Sequence, residues 1–106
     1  MKNEYGANLD RNGYAPSIID RECEGCHWCG CTGTKLDRHE VFHGPFRQKS
    51  KEYGLWINLC PGCHRTVHNG NGTVDSLLKE EGELAALFYY EWTPEEFIRR
   101  FGKNYL

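Results

Sequence analysis

Two stretches of the chain carry the hydrophobic pattern of β-strands. In "KLDRHEVFHG", residues 35 to 44, apolar and polar side chains alternate until the turn signal Gly44-Pro45. The short apolar run "LWINL", residues 55 to 59, predicts a second strand, and the basic segment "PFRQKSKEYG" between them is expected to form a loop. Successive side chains of a strand point to opposite faces. One face of the first strand then carries Asp37, His39, Val41 and His43. The other face carries Leu36, Arg38, Glu40 and Phe42.

The pattern after the second strand is helical. "CPGCHRTVH", residues 60 to 68, opens a helix that the glycine-rich "NGNGT" at 69 to 73 must break. A longer helix is expected from Asp75 to about Tyr90, slightly weakened by Gly82. The candidates for its buried stripe are Leu77, Leu78, Leu84, Leu87 and Phe88.

A last helix has the clearest boundaries in the chain. Thr93 can cap it, Pro94 fits the first helical position, and Glu96 completes a Thr-x-x-Glu capping box. Gly102 stands where a C-terminal cap belongs. Its predicted packing face consists of Phe97, Ile98 and Phe101.

These elements predict a small α+β protein. With 106 residues, the chain has the size of one domain. We expect an irregular N-terminal arm over residues 1–22 and a single domain over 23–106, with a ββα core at about 26–70 and C-terminal helices at about 75–102. The polar N-terminus lacks the apolar stretch of a secretory signal, and no apolar run is long enough for a bilayer span. A cytoplasmic protein without membrane contacts is the expectation.

Charge adds one feature to this picture. The formal net charge is -2, but residues 35 to 65 hold six Lys or Arg against three Asp or Glu. This middle third is the only part with a net positive charge. An ordinary solvated surface and a surface that contacts phosphates both remain open on charge alone.

Six cysteines suggest a metal site. Cys26 and Cys29 form one C-x2-C knuckle, and Cys60 and Cys63 form another after a gap of 30 residues. Four thiolates at two knuckles suit a closed structural zinc site. Because Cys23 and Cys26 also have knuckle spacing, the ligand choice stays ambiguous; Cys26 and Cys29 are preferred since Gly30 lets the turn close, which leaves Cys23 and Cys31 spare. Free buried cysteines, or disulfides in a secreted protein, are the alternatives.

The histidines indicate a second site. Adjacent residues of a helix project about 100° apart, so one ion cannot easily take both Cys63 and His64. His64 and His68, four residues apart, share one helical face. His39 can supply a third ligand if its strand packs beside this helix. Such an open histidine site leaves coordination positions for water and substrate.

Three segments together resemble a known family. "CHWCG", "LDRHEVFHG" and "LCPGCHRTVH" resemble the HNH endonucleases, in the version whose ββα-metal motif is braced by a four-cysteine zinc. This likeness covers about residues 26 to 68. "FRQKSKEYGL" and "FIRRFGKNYL" are similar to segments of small HNH-like proteins of bacteriophages and prophages, which extends it to most of the chain and implies the cytoplasm of a host cell.

The resemblance implies roles for individual residues. His64 and His68 become helix ligands of one catalytic divalent metal, which can be Mg²⁺, Mn²⁺, Ni²⁺ or Zn²⁺. The dipeptide His39-Glu40 stands where the family has Asp-His or His-His. Two alignments with the family's dipeptide are possible. In one, His39 is a metal ligand and Glu40 is the base. In the other, His39 is the base and Arg38 occupies the position of the ligand. The first is preferred because arginine cannot bind a cation.

The remaining expectations complete the site. The catalytic residues are expected to be His39, Glu40 and His64, with His43 as a further candidate on the same strand face as His39. Nucleic acid, with DNA favoured over RNA, is expected to contact the basic residues Arg47, Lys49, Lys51 and Arg65.

The sequence also departs from the family. Leu55 occupies the place of the family's central asparagine, and Asn58 lies nearby. Two functions follow: a metal-dependent endonuclease, or a catalytically impaired, zinc-stabilised module of phage origin that binds nucleic acid or protein. A double-strand cut by a lone domain would favour a dimer.

Overall fold

The computed structural model describes residues 1–22 and 24–106, which form an α+β fold with a two-stranded sheet and four α-helices. Cys23, expected to be a spare thiol, lies outside the described residues. In chain order the elements are β1 (Asp37–Glu40), a 3-10 turn (Gly44–Phe46), α1 (Arg47–Glu52), β2 (Trp56–Leu59), α2 (Pro61–Asn69), α3 (Thr73–Tyr90) and α4 (Pro94–Phe101). Within the described residues, no helix combines the length and the apolar character needed to cross a lipid bilayer.

The sheet is antiparallel and short. His39 pairs with Ile57, and Glu40 pairs with Trp56. β1 ends at Glu40, earlier than the alternating pattern predicted, and the alternation of faces ends with it: Val41 and Phe42 are both 1% exposed. The chain turns inward here because the Phe42 ring packs against Phe97 and Phe101 of α4 and against Tyr105.

The basic segment expected to be a loop instead contains a helix, α1, at Arg47–Glu52. Neither glycine nor proline interrupts these six residues, and buried Ser50 anchors the helix. The Ser50 hydroxyl donates to the Leu55 carbonyl at 2.5 Å and accepts from the Phe42 N–H at 3.1 Å. α1 therefore ties the end of β1 to the start of β2.

The long helix α3 begins at Thr73, two residues before the predicted start, after the expected break at the glycine-rich segment. The predicted buried stripe is wrong in three positions: Leu77, Leu84 and Phe88 are 47%, 56% and 89% exposed. The face turned inward carries Leu78, Gly82, Glu83 and Ala86, with Leu87 partly buried. Small residues at 82 and 86 allow α3 to approach the core closely, and that approach decides its rotation.

Helix α4 confirms the predicted boundaries. The Thr93 hydroxyl accepts from the Glu96 N–H at 3.1 Å, and Gly102 ends the helix with φ +84°. The Glu96 carboxylate pairs with Arg99 and Arg100 on its own helix. Phe97 and Phe101 are fully buried, whereas Ile98, predicted to pack, is 39% exposed.

The only β pairing among residues 1–22 is an isolated bridge between Lys2 and Asn8. They lie across β2 and α1 through hydrogen bonds. Ser17 Oγ donates to the Trp56 carbonyl at 2.6 Å, and Trp56 Nε1 donates to the Ala15 carbonyl at 2.7 Å. The arm therefore forms one wall beside the sheet.

Candidate functional site

The four predicted cysteine ligands lie together. The sulfur atoms of Cys26, Cys29, Cys60 and Cys63 are all within 4.8 Å of one another. The Cys29 and Cys60 sulfurs are 3.8 Å apart, too far for a disulfide bond of about 2.05 Å. A tetrahedral zinc bound at about 2.3 Å would separate its sulfurs by about 3.8 Å. The cluster thus has the composition and the spacing to hold a structural zinc.

Both knuckles have turns that aim backbone N–H groups at sulfur. Cys29 N donates to Cys26 Sγ at 3.5 Å, and Cys63 N donates to Cys60 Sγ at 3.4 Å. Burial raises the pKa of Cys26, but the backbone N–H groups of Cys29, Cys60 and Trp28 lower it below its ordinary value overall. Gly30 has φ +78°, the left-handed conformation that the first turn needs. The half-buried Cys31 thiol contacts Cys29 and Cys60 at the edge of the cluster.

An ion-pair chain that the sequence analysis missed fixes the first knuckle. His27 Nδ1 lies 2.5 Å from Asp20, whose side chain is 1% exposed, and His27 Nε2 lies 2.8 Å from Glu81 on α3. Hydrogen bonding to Asp20 raises the pKa of His27 to about 9 against the effect of burial. Asp20 also accepts from the backbone N–H of Asn58 at 2.8 Å. The knuckle is thereby tied to the arm, to β2 and to α3.

The three predicted histidines form a second cluster. One ring nitrogen from each of His39, His64 and His68 lies within 4.8 Å of the others. The Nε2 atoms of His64 and His68 are 3.1 Å apart, close to the roughly 3.3 Å expected for two nitrogens on one zinc ion. His39 comes from β1, whereas His64 and His68 come from one face of α2. Cys63 and His64 are adjacent, yet they belong to different clusters.

The environment of His39 suits a ligand. His39 is 1% exposed, and its Nε2 has no hydrogen-bond partner among residues 1–22 and 24–106. Buried polar atoms are almost always hydrogen-bonded, so this nitrogen is unusual. Burial, followed by the neighbouring histidines, lowers the pKa of His39 to about 4. The ring is therefore neutral near pH 7, as metal binding requires.

Carboxylates outside the cluster orient two of the nearby rings. His64 Nδ1 lies 3.1 Å from Asp37, which leaves Nε2 on the cluster side. Such a carboxylate partner commonly fixes the orientation of a ligating histidine. His43 Nε2 instead lies 3.0 Å from Asp75, and His43 is outside the triad although its ring centroid is 6.0 Å from that of His39.

The histidine cluster opens into a cavity of about 330 Å³. Its wall includes Glu40, whose carboxylate is held by Arg47 Nε at 2.5 Å and by the Tyr14 hydroxyl at 2.9 Å. Burial raises the pKa of Glu40, but the hydrogen bonds from Arg47 and Tyr14 outweigh it and lower the pKa overall. Glu40 is thus ionised, positioned in the cavity and already paired.

The predicted nucleic-acid residues lie in different places. Arg47 lines the histidine cavity, and Arg65 lines an adjoining one together with His64 and His68. Lys51 Nζ lies 3.4 Å from the Asn12 carbonyl, and Lys49 Nζ donates to the Arg100 carbonyl at 2.9 Å. Lys49 therefore points toward α4 and is not part of the cavity wall.

Two further cavity residues were not predicted. Arg38 and Tyr14 both line the cavity, Tyr14 from the arm and Arg38 from β1. No sequence pattern pointed to Tyr14, which is 25 positions from His39. The expected strand alternation placed Arg38 on the face opposite His39. The resemblance to HNH endonucleases raised Arg38 only as the residue at a metal-ligand position.

Leu55 and Asn58, the two residues near the position where HNH endonucleases have an asparagine, have structural roles here. Leu55 is 0% exposed and packs in the hydrophobic core. Asn58 uses its backbone to bind Asp20 and His27, at 2.8 Å and 2.7 Å. Neither residue is part of the histidine cavity.

No protein-family model, curated protein or solved structure matches this chain. Its function is therefore inferred from its own side chains. The two clusters and the cavity beside the histidines are the features from which that inference starts.

Proposed function

We propose that the protein is a metal-dependent endonuclease of the HNH type that hydrolyses phosphodiester bonds of nucleic acid, with DNA as the favoured substrate. The observation that carries this proposal is the cluster of His39, His64 and His68 in a cavity that also contains Arg38 and Arg47. Neutral imidazoles can hold a divalent cation, and guanidinium groups suit the phosphates of a nucleic acid.

The order of elements supports the same proposal. Two antiparallel strands, β1 and β2, are followed directly by α2, so a strand and the helix deliver the histidines from two sides. The four-cysteine cluster joins the segment before β1 to the β2–α2 junction. A structural zinc there would hold α2 against the sheet, because it would bind both knuckles at once.

In this mechanism each residue has a distinct task. His39, His64 and His68 would hold one divalent cation, Mg²⁺, Mn²⁺, Ni²⁺ or Zn²⁺, which supplies charge stabilisation at the scissile phosphate. Asp37 keeps the His64 ring oriented. The Glu40 carboxylate, which lines the same cavity, would accept a proton from the attacking water.

The arginines of the cavity have a second task. Arg47, 61% exposed, can exchange its bond with Glu40 for a phosphate oxygen and thereby release the base. The Arg47 guanidinium group would then pair with Glu40 in the absence of substrate and with a phosphate when substrate is bound.

One observation favours the second function, a catalytically impaired module that binds nucleic acid or protein. Hydrogen bonds to Arg47 and Tyr14 lower the pKa of Glu40, and a carboxylate that holds its proton more weakly is a poorer base near pH 7. If Arg47 stays on Glu40 when a nucleic acid binds, the histidine cluster has no base beside it.

A plasmid-nicking assay with a panel of divalent metals tests the leading function. The wild type should nick only with added metal, and His64→Ala should abolish nicking while zinc content and melting stay unchanged. His43→Ala is the matched control, because it also removes a cavity imidazole but lies outside the triad. Equal nicking by wild type and His64→Ala would contradict the ligand assignment.

Glu40 variants separate the two functions. Glu40→Gln keeps the shape and removes the proton acceptor, so an active enzyme should lose about 10²-fold or more. Glu40→His would restore the family's usual dipeptide. If the wild type cleaves no DNA or RNA with any metal but Glu40→His does, the binding-module function holds.

A further inference from the structure

A second cavity adjoins the histidine cavity. Its volume is about 280 Å³, and it lies between the arm and the sheet. Tyr14 and Arg38 line both cavities, while Asp10 and Trp56 line only the second. A ligand that fills the second cavity would therefore lie next to the histidine cluster.

The Arg38 guanidinium forms a supported flat surface between the two cavities. Its central carbon lies 4.5 Å from the centroid of the Tyr14 ring and 4.9 Å from that of Trp56. Asp10 fixes it further through an ion pair of 2.7 Å, and the side chain still remains 42% exposed. The group is thus held in position from several sides and accessible to a ligand.

The supporting residues are themselves fixed. Trp56 donates its indole N–H to the Ala15 carbonyl at 2.7 Å, and the Tyr14 hydroxyl donates to Glu40 at 2.9 Å. The Tyr14 and Trp56 rings meet edge to face at 5.6 Å. Since Arg38, Tyr14 and Trp56 are already held by these contacts, the protein loses little side-chain entropy at these positions when a ligand binds.

We propose that this second cavity binds an unpaired nucleobase, so that the substrate is single-stranded or locally unpaired nucleic acid; the proposal rests on the endonuclease function inferred above. Bases stack on arginine planes and on aromatic rings, and such stacking tolerates any base. A base on Arg38 would place its own phosphate at the mouth of the histidine cavity. Bases inside a duplex are stacked and paired, so they cannot enter.

The experiment measures binding apart from cleavage. Fluorescence anisotropy without added divalent metal compares a labelled short DNA strand with the duplex formed by the same strand and its complement. The wild type should bind the single strand at least about 5-fold more tightly than the duplex, since one stacked base contributes roughly 5- to 150-fold in affinity.

Arg38→Lys is the decisive variant, because lysine keeps the positive charge and lacks the plane. It should lose about 5- to 150-fold in single-strand affinity and change duplex affinity little. Arg99→Lys is the matched control, as Arg99 is 68% exposed on α4 and lines neither cavity. Because lysine at position 38 also loses the stacking on Tyr14 and Trp56, thermal melting of both variants accompanies the assay, and binding is compared at a temperature where both are folded.

Equal affinity of the wild type for single strand and duplex would overturn the proposal. So would an Arg38→Lys protein that binds the single strand as tightly as the wild type, since charge alone would then explain binding. The endonuclease function fails separately, through absent metal-dependent nicking. A protein that prefers the single strand but does not nick would support the base site and contradict the endonuclease function. A protein that nicks without this preference would support the endonuclease function and contradict the base site.

Discussion

The ligand assignment at the four-cysteine cluster can be tested most sharply at Cys60. Its sulfur is 3.8 Å from that of Cys29, and it caps α2 by accepting the Cys63 N–H at 3.4 Å. Serine is itself a good N-cap, so Cys60→Ser keeps the cap and removes a zinc ligand. The variant therefore isolates the contribution of the metal from that of the helix.

The expected effect is large compared with the stability of a small domain. Structural zinc contributes on the order of 10 to 16 kcal/mol to the folding of small zinc domains, and a whole domain has a free energy of unfolding of about 5 to 15 kcal/mol. Loss of even about 3 kcal/mol would lower Tm by roughly 12 to 24 °C for a domain of this size. Cys60→Ser should therefore unfold well below the wild-type Tm, or fail to accumulate as folded protein.

The assay combines zinc content after dialysis with thermal melting followed by circular dichroism. The wild type should retain about one zinc per chain, and Cys60→Ser should lose it. Cys31→Ser is the matched control, because Cys31 touches the cluster but is not one of its four members. A Cys60→Ser protein with full zinc and an unchanged melting curve would show that Cys60 is not a zinc ligand. Zinc loss in Cys31→Ser as well would show that the ligand set includes Cys31.

Three further predictions concern stability, each followed by thermal melting. Gly82→Ala should lower Tm, because the new Cβ would lie 2.8 Å from Val41 Cγ1 and overpacking costs about 1 to 3 kcal/mol. This cost should exceed the gain of about 1 kcal/mol that alanine brings to a helix. Gly62→Ala is the control and should not lower Tm, because its Cβ meets open space. Burial raises the pKa of Glu83, so its contribution to stability is full below the unfolded pKa and is lost as pH rises through the folded pKa. Glu83→Gln should therefore gain stability relative to wild type toward pH 7, and a parallel pH profile would contradict this. Thr93→Ala should cost about 1 kcal/mol through the lost cap, whereas Thr93→Ser should cost less; equal losses would exclude the cap as the cause.

The environment of Glu83 leads us to expect a simple pH dependence of stability. Among the described residues, no cation lies within ion-pair distance of its carboxylate, which accepts only the Tyr105 N–H at 2.6 Å. Lys79 and Lys103 lie over the Tyr105 ring, and Lys79 pairs with Asp75. Desolvation is therefore the dominant influence on this group.

Local chemistry was enough to predict several parts of the molecule. The start and end of α4 follow from Thr93 and Gly102, and the break before α3 follows from its glycines. The two cysteine knuckles and the pair His64 and His68 were also predictable. In each case the decisive interactions join residues only a few positions apart, so their spacing along the chain determines their geometry.

Tertiary packing decided the rest of the fold. Periodicity placed Leu84 and Phe88 of α3 in the core, but both are exposed because the close approach at Gly82 turns a different face inward. The same packing draws Phe42 out of the strand pattern and into contact with Phe97 and Phe101. Hydrophobicity along the chain indicates that a helix is amphipathic, and only the shape of its neighbours selects among several apolar faces.

The candidate site shows the same division. Spacing along the chain was enough to group four cysteines in one cluster and to put His64 and His68 on one helix face. Packing of distant segments brings Tyr14 and Arg38 beside the histidines and holds His27 against Asp20 at the first knuckle. These contacts join the arm to β1 and the arm to the knuckle, and they depend on how the arm lies across the sheet. Sequence spacing cannot specify such contacts, because they arise from the packing of segments whose relative positions no local interaction fixes.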